Sequence, residues 1–572
     1  MKVFKKNGLL YVISTGLITL MLLLGIACTE SAPAAAPIAP AAPAAPAVPA
    51  APQAAPVVII PGAPTSIPAR ATATRVLPTA TVVQGAQREA GGTLRHAFLN
   101  KFDSMDGHLS RNFQMQVVLF ALYNNLVQLG SDGDITPDLA SNWDFSGDGK
   151  TITFHLQKGV KFHDGTSFDA NSVKWNIDRV LDPETGSSQR TVIGGTVSSV
   201  EVIDSYTVKL HLSSPSRPLL AQLSERAGHI LSPTAVQNLG EDFAKSPVGT
   251  GPYKISTWKL ADVNTMTKND SYWENGKPYF DEVKLQDVPD INVQIAMVRT
   301  GESDVVTYVT PASIEQVENK SGLKHYVIPG RTHGFRFIDE VEPYNDVNLR
   351  KAMGYAFNPQ EIVDVYFIGR GQAAYSIAPP GSWAYNPDIK VYDQDIAKSK
   401  EYLAKAGHPN GVTVPVYCRG TTTEITRCEI FQVQLAKADI KAELITVPKS
   451  DYWASFKSMY PGHRSKGGMY YWSPRGDPHQ SLHRVFHSLG GSNAGWNYSN
   501  SEYDKYLDEA VIQYDISKAK ELYDKAQAVI LNDAIFIPHA FPPEYTVMRD
   551  DIQGFAQPPD LRLRVKDLWR QK

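Results

Sequence analysis

The segment YYWSPRGDP, residues 470–478, places three aromatic side chains beside an arginine and an aspartate. Aromatic faces stack on sugars, rings and peptide side chains, and a guanidinium forms paired hydrogen bonds with a carboxylate or a phosphate. The segment GWNYSN adds two aromatic residues downstream. We therefore take Tyr470, Trp472, Arg475, Asp477, Trp496 and Tyr498 as candidate ligand-binding residues. Two alternatives stay open: these aromatic residues belong to a core, and Arg475 points outward or pairs with Asp477.

Motifs for covalent catalysis are absent or incomplete in the sequence. It contains no GxSxG nucleophile elbow and no HExxH zinc motif. The segment GDGKT ends like a phosphate-binding loop, but Asp144 stands where the first glycine of that loop belongs. The segment GRGQAA has two of the three dinucleotide-binding glycines and follows a helical pattern. We predict a protein without enzymatic activity and without a cofactor.

Three histidines, His479, His483 and His487, are spaced four residues apart. Neighbours at this spacing on a helix can share one metal ion. All three cannot, because the outer two lie about 12 Å apart along the axis at ~1.5 Å per residue. We predict no bound metal. The pair His479 and His483 is the one alternative site.

The composition is that of an ordinary globular protein. The chain has 572 residues, of which 42% are hydrophobic and 20% charged, and its formal net charge is -3. This balance offers no basic excess for nucleic acid. Single cores stop growing at roughly 250–300 residues. We therefore expect several lobes and no nucleic-acid partner.

The N-terminus has the pattern of an export signal. Three lysines precede an uncharged apolar run that ends at Gly25-Ile26-Ala27-Cys28. Cys28 after Ala27 resembles a bacterial lipobox, so we predict a signal peptide over 1–27 and a lipidated Cys28 that anchors the protein to the membrane. Ordinary signal peptidase cleavage and a retained apolar anchor stay open. Each of these outcomes places the remainder outside the cytoplasm, at the cell surface or in the periplasm.

Residues 28–90 are rich in alanine, proline and threonine. Such a composition cannot bury enough apolar surface to offset the entropy of ordering. We predict a disordered tether, partly polyproline, that spans roughly 200 Å at most when fully extended. Its role would be to space the folded part away from the bilayer.

The folded part mixes strand and helix periodicities. TITFHL, residues 151–156, alternates polar and apolar residues as a half-buried strand does. Asp169 is a candidate cap for the helix that follows it. VEVIDSYTVKLHL indicates a hairpin, whereas DVNLRKAMGYAF and DQDIAKSKEYLAKAG have helical spacing, and Gly407 suits the end of the second helix. The class is therefore α/β or α+β with mixed sheets.

Two cysteines, Cys418 and Cys428, follow Cys28. The first ends a predicted strand and the second lies in the next predicted helix. In an exported chain such an isolated pair is a disulfide candidate. We predict this bond, with two free buried thiols as the alternative.

Several segments, in order from about Gly91 to the C-terminus, resemble the extracellular solute-binding proteins of family 5. This family includes the oligopeptide, dipeptide and nickel receptors of ABC importers. The matching segments begin with DGDITPDLASNW, SPVGTGPYKISTW, YNDVNLRKAMGYAF and YLAKAGHPNGV, and the last of them is IFIPHAFPPEYTV.

The resemblance implies a type II periplasmic-binding-protein-like clamp, in which two hinge-joined lobes of α/β class with mixed sheets enclose a ligand. Lobe I would be assembled from residues 91–133, 246–330 and 538–572. A small insert domain would occupy 134–245, and lobe II would occupy 331–537. Closure of such a clamp is a population shift driven by contacts that exist only in the closed form.

The resemblance also implies roles for single residues. In this family, the segment matching 470–478 forms part of the pocket wall of the second lobe, and in the peptide receptors an aspartate within it pairs with the amino group of the ligand. Pro474 and Arg475 occupy its neighbourhood here. We therefore expect an acidic, glycosidic or otherwise oxygen-rich solute rather than a plain peptide held by its N-terminus. Tyr123 would face this wall from lobe I, and Arg331 and His333 would lie at the hinge.

The function implied is that of a monomeric receptor which delivers a small molecule or peptide to a membrane permease with a cytoplasmic ATPase. Two rival functions stay open. One is an envelope-anchored hydrolase, which requires a carboxylate pair or a Ser/His pair in the cleft. The other is a sensory or adhesive module that uses the same fold.

Overall fold

We describe the fold from a computed structural model of the chain. It describes residues 88–89, 91–99, 104–112, 114–259, 262–328, 330–456, 466–472, 475–493, 496–556, 560 and 562–572. The chain divides into two units, Met1–Ala63 and Pro64–Lys572, and all described residues belong to the second. The predicted signal peptide, Cys28 and residues 28–87 of the predicted tether lie outside the described residues.

Strands are distributed along the whole folded part. In chain order they are β1 (Thr93–Phe98), β2 (Val127–Leu129), β3 (Ile135–Pro137), β4 (Ala140–Phe145), β5 (Thr151–Leu156), β6 (Val197–Asp204), β7 (Thr207–Leu212), β8 (Tyr253–Thr257), β9 (Val263–Lys268), β10 (Glu282–Asp287), β11 (Val305–Val309), β12 (Leu323–Ile328), β13 (Thr332–Phe337), β14 (Gln372–Ala373), β15 (Val412–Arg419), β16 (Ile440–Val447), β17 (Gly467–Trp472), β18 (Phe536–Phe541), β19 (Glu544–Arg549), β20 (Ile552–Gln553) and β21 (Trp569–Arg570).

Helices are interspersed with these strands. They are α1 (Gln116–Leu122), α2 (Ala170–Leu181), α3 (Arg190–Ile193), α4 (Leu219–Leu223), α5 (Pro233–Leu239), α6 (Ile291–Thr300), α7 (Pro311–Ile314), α8 (Val347–Ala356), α9 (Pro359–Val365), α10 (Ile396–Lys405), α11 (Thr422–Ala436), α12 (Pro478–Phe486), α13 (Ser501–Val511) and α14 (Ile516–Asn532). Within the part of the chain described here, no helix is both long and apolar enough to cross a membrane.

Local sequence signals correspond to these elements. TITFHL forms β5, and VEVIDSYTVKLHL forms the antiparallel pair β6 and β7. The Asp169 side chain accepts a hydrogen bond from the Ser172 backbone N–H, and the Ser172 side chain accepts one in return from the Asp169 backbone N–H, which closes a capping box at the start of α2. Gly407 follows α10 with φ of 83°, a left-handed conformation that favours glycine.

Lobe I is built on a seven-stranded sheet in the order β12-β19-β11-β1-β10-β9-β8. β1 runs parallel to both β10 and β11. Two hydrophobic clusters cover this sheet, one around Leu94 and Leu285 and one around Ile295 and Val306.

Lobe II is built on a six-stranded sheet in the order β14-β18-β13-β17-β15-β16. β15 runs parallel to β16 and β17, whereas β13 runs antiparallel to both of its neighbours. Its core includes an aromatic cluster that contains Tyr470 and Trp496.

The insert domain has an antiparallel sheet in the order β4-β5-β7-β6, against which α2 packs. Its boundaries differ from the prediction of 134–245. Leu126 and Val127 pack in the insert core, whereas Ala235 and Phe243 pack in the lobe I core. Burial on one core or the other sets the boundary, and the sequence pattern did not reveal it.

Two chain segments cross between the large sheets, one from β12 to β13 and one from β18 to β19. A Cβ on Gly330 would lie 1.2 Å from the carbonyl oxygen of Pro542, so only glycine allows the crossing segments to approach this closely. The predicted return to lobe I at residue 538 falls within β18. All residues of β18 are buried in the lobe II sheet, so the crossing comes after Phe541.

The predicted tether also ends earlier than residue 90. Arg88 forms a β-bridge with Gln571, and its guanidinium lies over the rings of Tyr279 and Trp569. These stacking contacts attach residue 88 to lobe I.

Candidate ligand-binding site

In both large sheets, strands have their carboxyl ends at the crossing segments. β12 ends at the crossing, and β11 runs in the same direction because both are antiparallel to β19. β13 begins at the crossing, so its antiparallel neighbour β17 and the parallel β15 end there. Ligands of open α/β sheets bind outside the carboxyl ends of the strands. The candidate site therefore lies where these ends face each other.

Arg475, three residues after β17, forms an ion pair with Glu225 of the insert domain. Its Nη1 lies 2.6 Å from Glu225 Oε2. Arg562 Nη2, from the C-terminal segment of lobe I, lies 2.9 Å from the same oxygen. One carboxylate thus joins lobe I, lobe II and the insert domain.

Three more charged groups extend this cluster. Asp560 accepts hydrogen bonds from Arg564 at 2.8 and 3.1 Å and lies 3.4 Å from Arg562. Arg226, next to Glu225, donates to the carbonyl oxygen of Ser110 at 2.8 Å. We call these six residues the arginine cluster: Glu225, Arg226, Arg475, Asp560, Arg562 and Arg564. It has four guanidinium groups and two carboxylates.

The arginine cluster has an excess of positive charge. Burial raises the pKa of Glu225, but Arg562 and Arg475 outweigh that effect and lower it to about 2. Burial, Arg475 and Arg562 together lower the pKa of Arg226 to about 9. Within the described part of the chain, Glu225 Oε1 and Arg226 Nε have no hydrogen-bond partner. The arrangement therefore suits an additional anion.

Asp477 makes a second contact between lobe II and the insert domain. Both of its oxygens accept hydrogen bonds from Arg217, and one of these also accepts the N–H of His479 at 2.9 Å. Arg217 further donates to the Tyr523 hydroxyl at 2.9 Å and lies over the Trp383 ring. The alternative that Arg475 pairs with Asp477 is wrong, because each residue pairs with a different residue of the insert domain.

The predicted aromatic residues lie mainly in the lobe II core. Tyr470, Trp472, Trp496 and Tyr498 are 8, 9, 4 and 2% exposed. The Tyr498 hydroxyl donates to Asp533 at 2.8 Å. Trp472 also lines a pocket of about 40 Å³ together with Arg475. The contact of these four residues with a ligand stays a prediction. Trp472 is the best placed of them for such a contact, because it lines this pocket.

Tyr123 lies in the lobe I core, 1% exposed. Its hydroxyl donates to the carbonyl oxygen of Met105 at 2.8 Å, and its ring lies 5.5 Å from that of His229. This burial leaves little of the side chain accessible to a ligand, and its predicted contact across the cleft has no support in these interactions.

Arg331 and His333 lie beside the crossing from β12 to β13, and their contact with a ligand stays a prediction. Arg331 Nε lies 3.1 Å from Glu544 Oε1, across the two crossing segments. The His333 ring stacks on Tyr471 at 5.2 Å, and its Nδ1 lies 2.6 Å from Arg427 Nη1. Burial, Arg427 and neighbouring residues lower the pKa of His333 well below its usual value, so a neutral ring is present here.

The three histidines of DPHQSLHRVFH lie on α12 and at its end. The ring centroids of His479 and His483 are 5.2 Å apart, and those of His483 and His487 are 4.2 Å apart. Burial and the neighbouring histidine lower the pKa of His483 to about 4. Among the described residues, no group of three His, Cys, Asp or Glu side chains is arranged to hold a metal ion.

Cys418 and Cys428 are joined by a disulfide in the structure, with their Cα atoms 6.3 Å apart. The bond links Cys418, the residue before the last of β15, to Cys428 in α11. Both cysteines are buried in the lobe II core, so the bond links two elements of lobe II.

Sequence reasoning predicted Arg475 but missed the other five residues of the arginine cluster. It also missed Arg217 of the second contact. Weak signals for them exist. Glu225 and Arg226 interrupt an apolar run between Leu219 and Ile230, and the segment 560–564 alternates charged and apolar residues. A charged pair inside a buried run indicates a specific partner, but neither pattern identifies that partner.

Two sheets, two crossing segments and a charged cluster between them define a two-lobed binding clamp. The model of the family "Bacterial extracellular solute-binding proteins, family 5 Middle" matches residues 134–493. The chain belongs to this family of solute-binding proteins.

Curated relatives cover most of the chain. The glutathione-binding protein GsiB of Salmonella paratyphi A is 30% identical over 485 residues, which span 82% of this chain and 92% of the relative. GsiB of Escherichia coli K12 is 28% identical over 477 residues with the same coverage.

Solved structures share the fold. DppA from Helicobacter pylori, in complex with the peptide STSA, is 26% identical with a TM-score of 0.75, and the match covers 85% of this chain and 99% of that one. AgaA from A. tumefaciens R10, in complex with agropinic acid, is 25% identical with a TM-score of 0.74, covering 84% and 99%.

Proposed function

We propose that this protein is the extracytoplasmic receptor of an ABC importer and that it captures an anionic, peptide-like solute between its lobes. The observation that carries the proposal is the arginine cluster, in which four guanidinium groups face two carboxylates at the carboxyl ends of the strands. The relatives fit this class, since GsiB is named for glutathione, a peptide with two carboxylates, and AgaA is bound to agropinic acid.

The charge excess gives the ligand a physical reason to bind. Burial of guanidinium charge in excess of the carboxylates is costly, and a ligand carboxylate that forms charge-assisted hydrogen bonds with these groups offsets that cost. Arg226 is the group least compensated by its surroundings, as its lowered pKa indicates. A ligand carboxylate near Arg226 and Arg475 would restore the balance.

The arginine cluster and the second contact couple binding to closure. Arg475 with Glu225, and Arg217 with Asp477, join lobe II to the insert domain. These pairs exist only when the two parts meet. A ligand that adds contacts to the closed form shifts the population toward it, and the permease would then receive the closed receptor.

Isothermal titration of glutathione and of its diamide, with wild type and Arg475→Ala, tests the proposal. We expect glutathione to bind more tightly than the diamide, and Arg475→Ala to weaken glutathione by about 2–3 kcal/mol, the usual value of a buried charged hydrogen bond. Arg190→Ala is the matched control, because this arginine is exposed and donates to the carbonyl oxygen of Leu181. Tight binding of free-amine dipeptides to pentapeptides, with no effect of Arg475→Ala, would overturn the proposal.

We also propose that Cys28 is lipidated and that residues 28–87 connect it to the folded part. Support comes from the positively charged start, the apolar run and the small residues before Cys28. Membrane fractionation of cells that express wild type or Cys28→Ser tests this point. Wild type should sediment with membranes, and the variant should lose its lipid-modified N-terminal peptide in mass spectra.

The ligand should leave the protein unaltered. The proposed function requires only differential affinity between open and closed forms and no covalent step. Mass spectrometry of glutathione after prolonged incubation with the protein should recover it intact, and a cleaved product would favour the hydrolase alternative.

A further inference from the structure

A pocket of about 160 Å³ lies in lobe I at the carboxyl ends of β1 and β11. Its wall combines apolar and polar side chains. Among the described residues that line it are Phe98, Leu563, His96, Gln294, Thr307 and Tyr308, and none of the lining residues described carries a carboxylate, an ammonium or a guanidinium. The pocket therefore differs in charge from the arginine cluster.

His96 brings an unpaired polar atom to this pocket. The residue is 1% exposed, and its Nδ1 has no hydrogen-bond partner within the described ranges. Its Nε2 lies 3.3 Å from Thr307 Oγ1. Burial lowers the pKa of His96 to about 3, so the ring is neutral at physiological pH. A buried polar atom without a partner costs free energy, which a hydrogen-bonding group in the pocket would offset.

The backbone of β11 is irregular where it meets the pocket. Its register with β19 shifts between Val306 and Val309, and Tyr308 within the shift has φ of 60°. A bulky residue in the left-handed region is strained, and such strain concentrates at functional sites. Bulges also redirect side chains next to binding sites. Here the irregularity places both Thr307 and Tyr308 on the wall of the pocket.

The pocket adjoins the arginine cluster. Leu563 lines the pocket and lies between Arg562 and Arg564 in the chain. Charges of the crossing segments and of the arginine cluster both act on Tyr308. Burial and Glu544 raise the pKa of Tyr308, whereas Arg331 of the crossing and Arg562 of the cluster lower it. One molecule could therefore occupy both places.

We propose that this pocket receives an uncharged side group of the solute whose carboxylate binds the arginine cluster. This inference rests on the proposed function. A cavity of comparable volume holds benzene, so the group would have about six non-hydrogen atoms. The side group should also form a hydrogen bond with His96 or Thr307. An ionised group is excluded, because its charge would be buried without a counter-charge.

Three fragments of similar size test the pocket without knowledge of the natural solute: isobutyramide, isobutyrate and isobutylammonium. Saturation-transfer NMR with the full-length protein should show isobutyramide bound to wild type. Ile291→Trp fills the pocket from its half-buried rim and should weaken isobutyramide roughly tenfold or more. Val293→Trp is the matched control, since Val293 lies on the same helix and is 50% exposed.

His96→Phe provides the second variant, because it keeps a ring and removes both nitrogens. It should weaken isobutyramide roughly fivefold, the value of one neutral hydrogen bond, and an unchanged Tm shows that the fold is kept. Unchanged isobutyramide binding in Ile291→Trp overturns the inference, and so does equal displacement of isobutyramide by isobutylammonium.

The two proposals fail separately. Isobutyrate reports on the arginine cluster and should lose its signal in Arg475→Ala but keep it in Ile291→Trp. If glutathione fails to bind while isobutyramide depends on Ile291, the pocket is retained and the anionic site is rejected. If glutathione binds as expected and Ile291→Trp leaves isobutyramide binding unchanged, only the pocket is rejected.

Discussion

Asp304 and Glu225 are both buried carboxylates that face two guanidinium groups. Asp304 lies at the amino ends of the lobe I strands, whereas Glu225 lies near their carboxyl ends. Asp304, at the amino end of β11, accepts from the Arg95 backbone and side chain at 2.8 to 3.0 Å and from Arg570 at 3.0 Å. Glu225 uses one oxygen for both of its arginines, and its other oxygen has no partner among the described residues.

This difference separates a structural ion cluster from the cluster that we propose binds the ligand. At the amino edge, both oxygens of the carboxylate are satisfied and all partners belong to lobe I. At the carboxyl ends, Glu225 of the insert domain has one partner from lobe I and one from lobe II, and one of its oxygens has no partner among the described residues. A fully satisfied buried network stabilises one state, whereas an incomplete one leaves free energy that a ligand or a closure step can supply.

The largest effect should come from Asp304→Ala. Removal of one partner leaves Arg95 and Arg570 without their shared carboxylate, and breaking a buried pair costs about 3–5 kcal/mol. The free energy of unfolding from urea titrations should fall by that amount, with the affinity for glutathione unchanged in the folded protein. A loss of affinity with little loss of stability would contradict the structural role of this cluster.

Acid should act on Glu225 to a slightly smaller extent. Burial raises its pKa, but Arg562 and Arg475 lower it from 4.5 to about 2, so the carboxylate stabilises the fold above pH 4.5 and this contribution is lost as the pH falls from 4.5 to 2. The loss amounts to about 3 kcal/mol, since one pKa unit is worth about 1.4 kcal/mol.

Urea titrations of wild type and Glu225→Gln across this pH range measure the effect. The variant should lose less stability on acidification, by about the same 3 kcal/mol. Glu201→Gln, which replaces a half-exposed carboxylate of β6, serves as the control. Identical acid profiles for wild type and Glu225→Gln would contradict the prediction.

Arg217→Met should have a moderate effect, because it breaks the pair with Asp477 while Arg475 and Glu225 remain. The closed population falls, and we expect glutathione affinity to drop roughly tenfold with its preference over the diamide unchanged. X-ray scattering of the ligand-free variant should show a larger radius of gyration than wild type. A change in preference instead of affinity would place Arg217 in contact with the ligand.

Removal of residues 29–87 should have the smallest effect. We assign the tether to spacing and not to binding. The free energy of glutathione binding should therefore change by less than about 0.5 kcal/mol, the usual range for changes away from a site. A shift of tenfold or more in isothermal titration would show that the segment contributes to binding.

The sequence predicted local structure and family better than it predicted the partners of its charged residues. The hairpin of β6 and β7 and the capping box of α2 depend on neighbours within a few residues, so their signals are local. The partner of Arg475 is Glu225, 250 residues away. No local pattern encodes such a pairing, because it depends on how the insert domain packs against lobe II.

The aromatic segment shows a different limit. YYW was interpreted as a binding wall, but β17 extends through Trp472, and side chains in a strand alternate between two faces. Tyr470 and Trp472 therefore point to the lobe II core, whereas Tyr471 stacks on His333 at the hinge. Three adjacent aromatic residues do not reveal which face is buried, and Tyr471 is the least buried of the three.

Asp477 has two tasks: it begins α12 by accepting the His479 N–H, and it receives Arg217 from the insert domain. When the clamp opens, the carboxylate keeps its first task and gives up the second, so its charge at the helix start is no longer neutralised. Each opening event therefore changes the electrostatic field at the first turn of α12 while the hydrogen bond from the His479 N–H is kept. The chemical shift of the His479 amide proton would report how often the receptor opens.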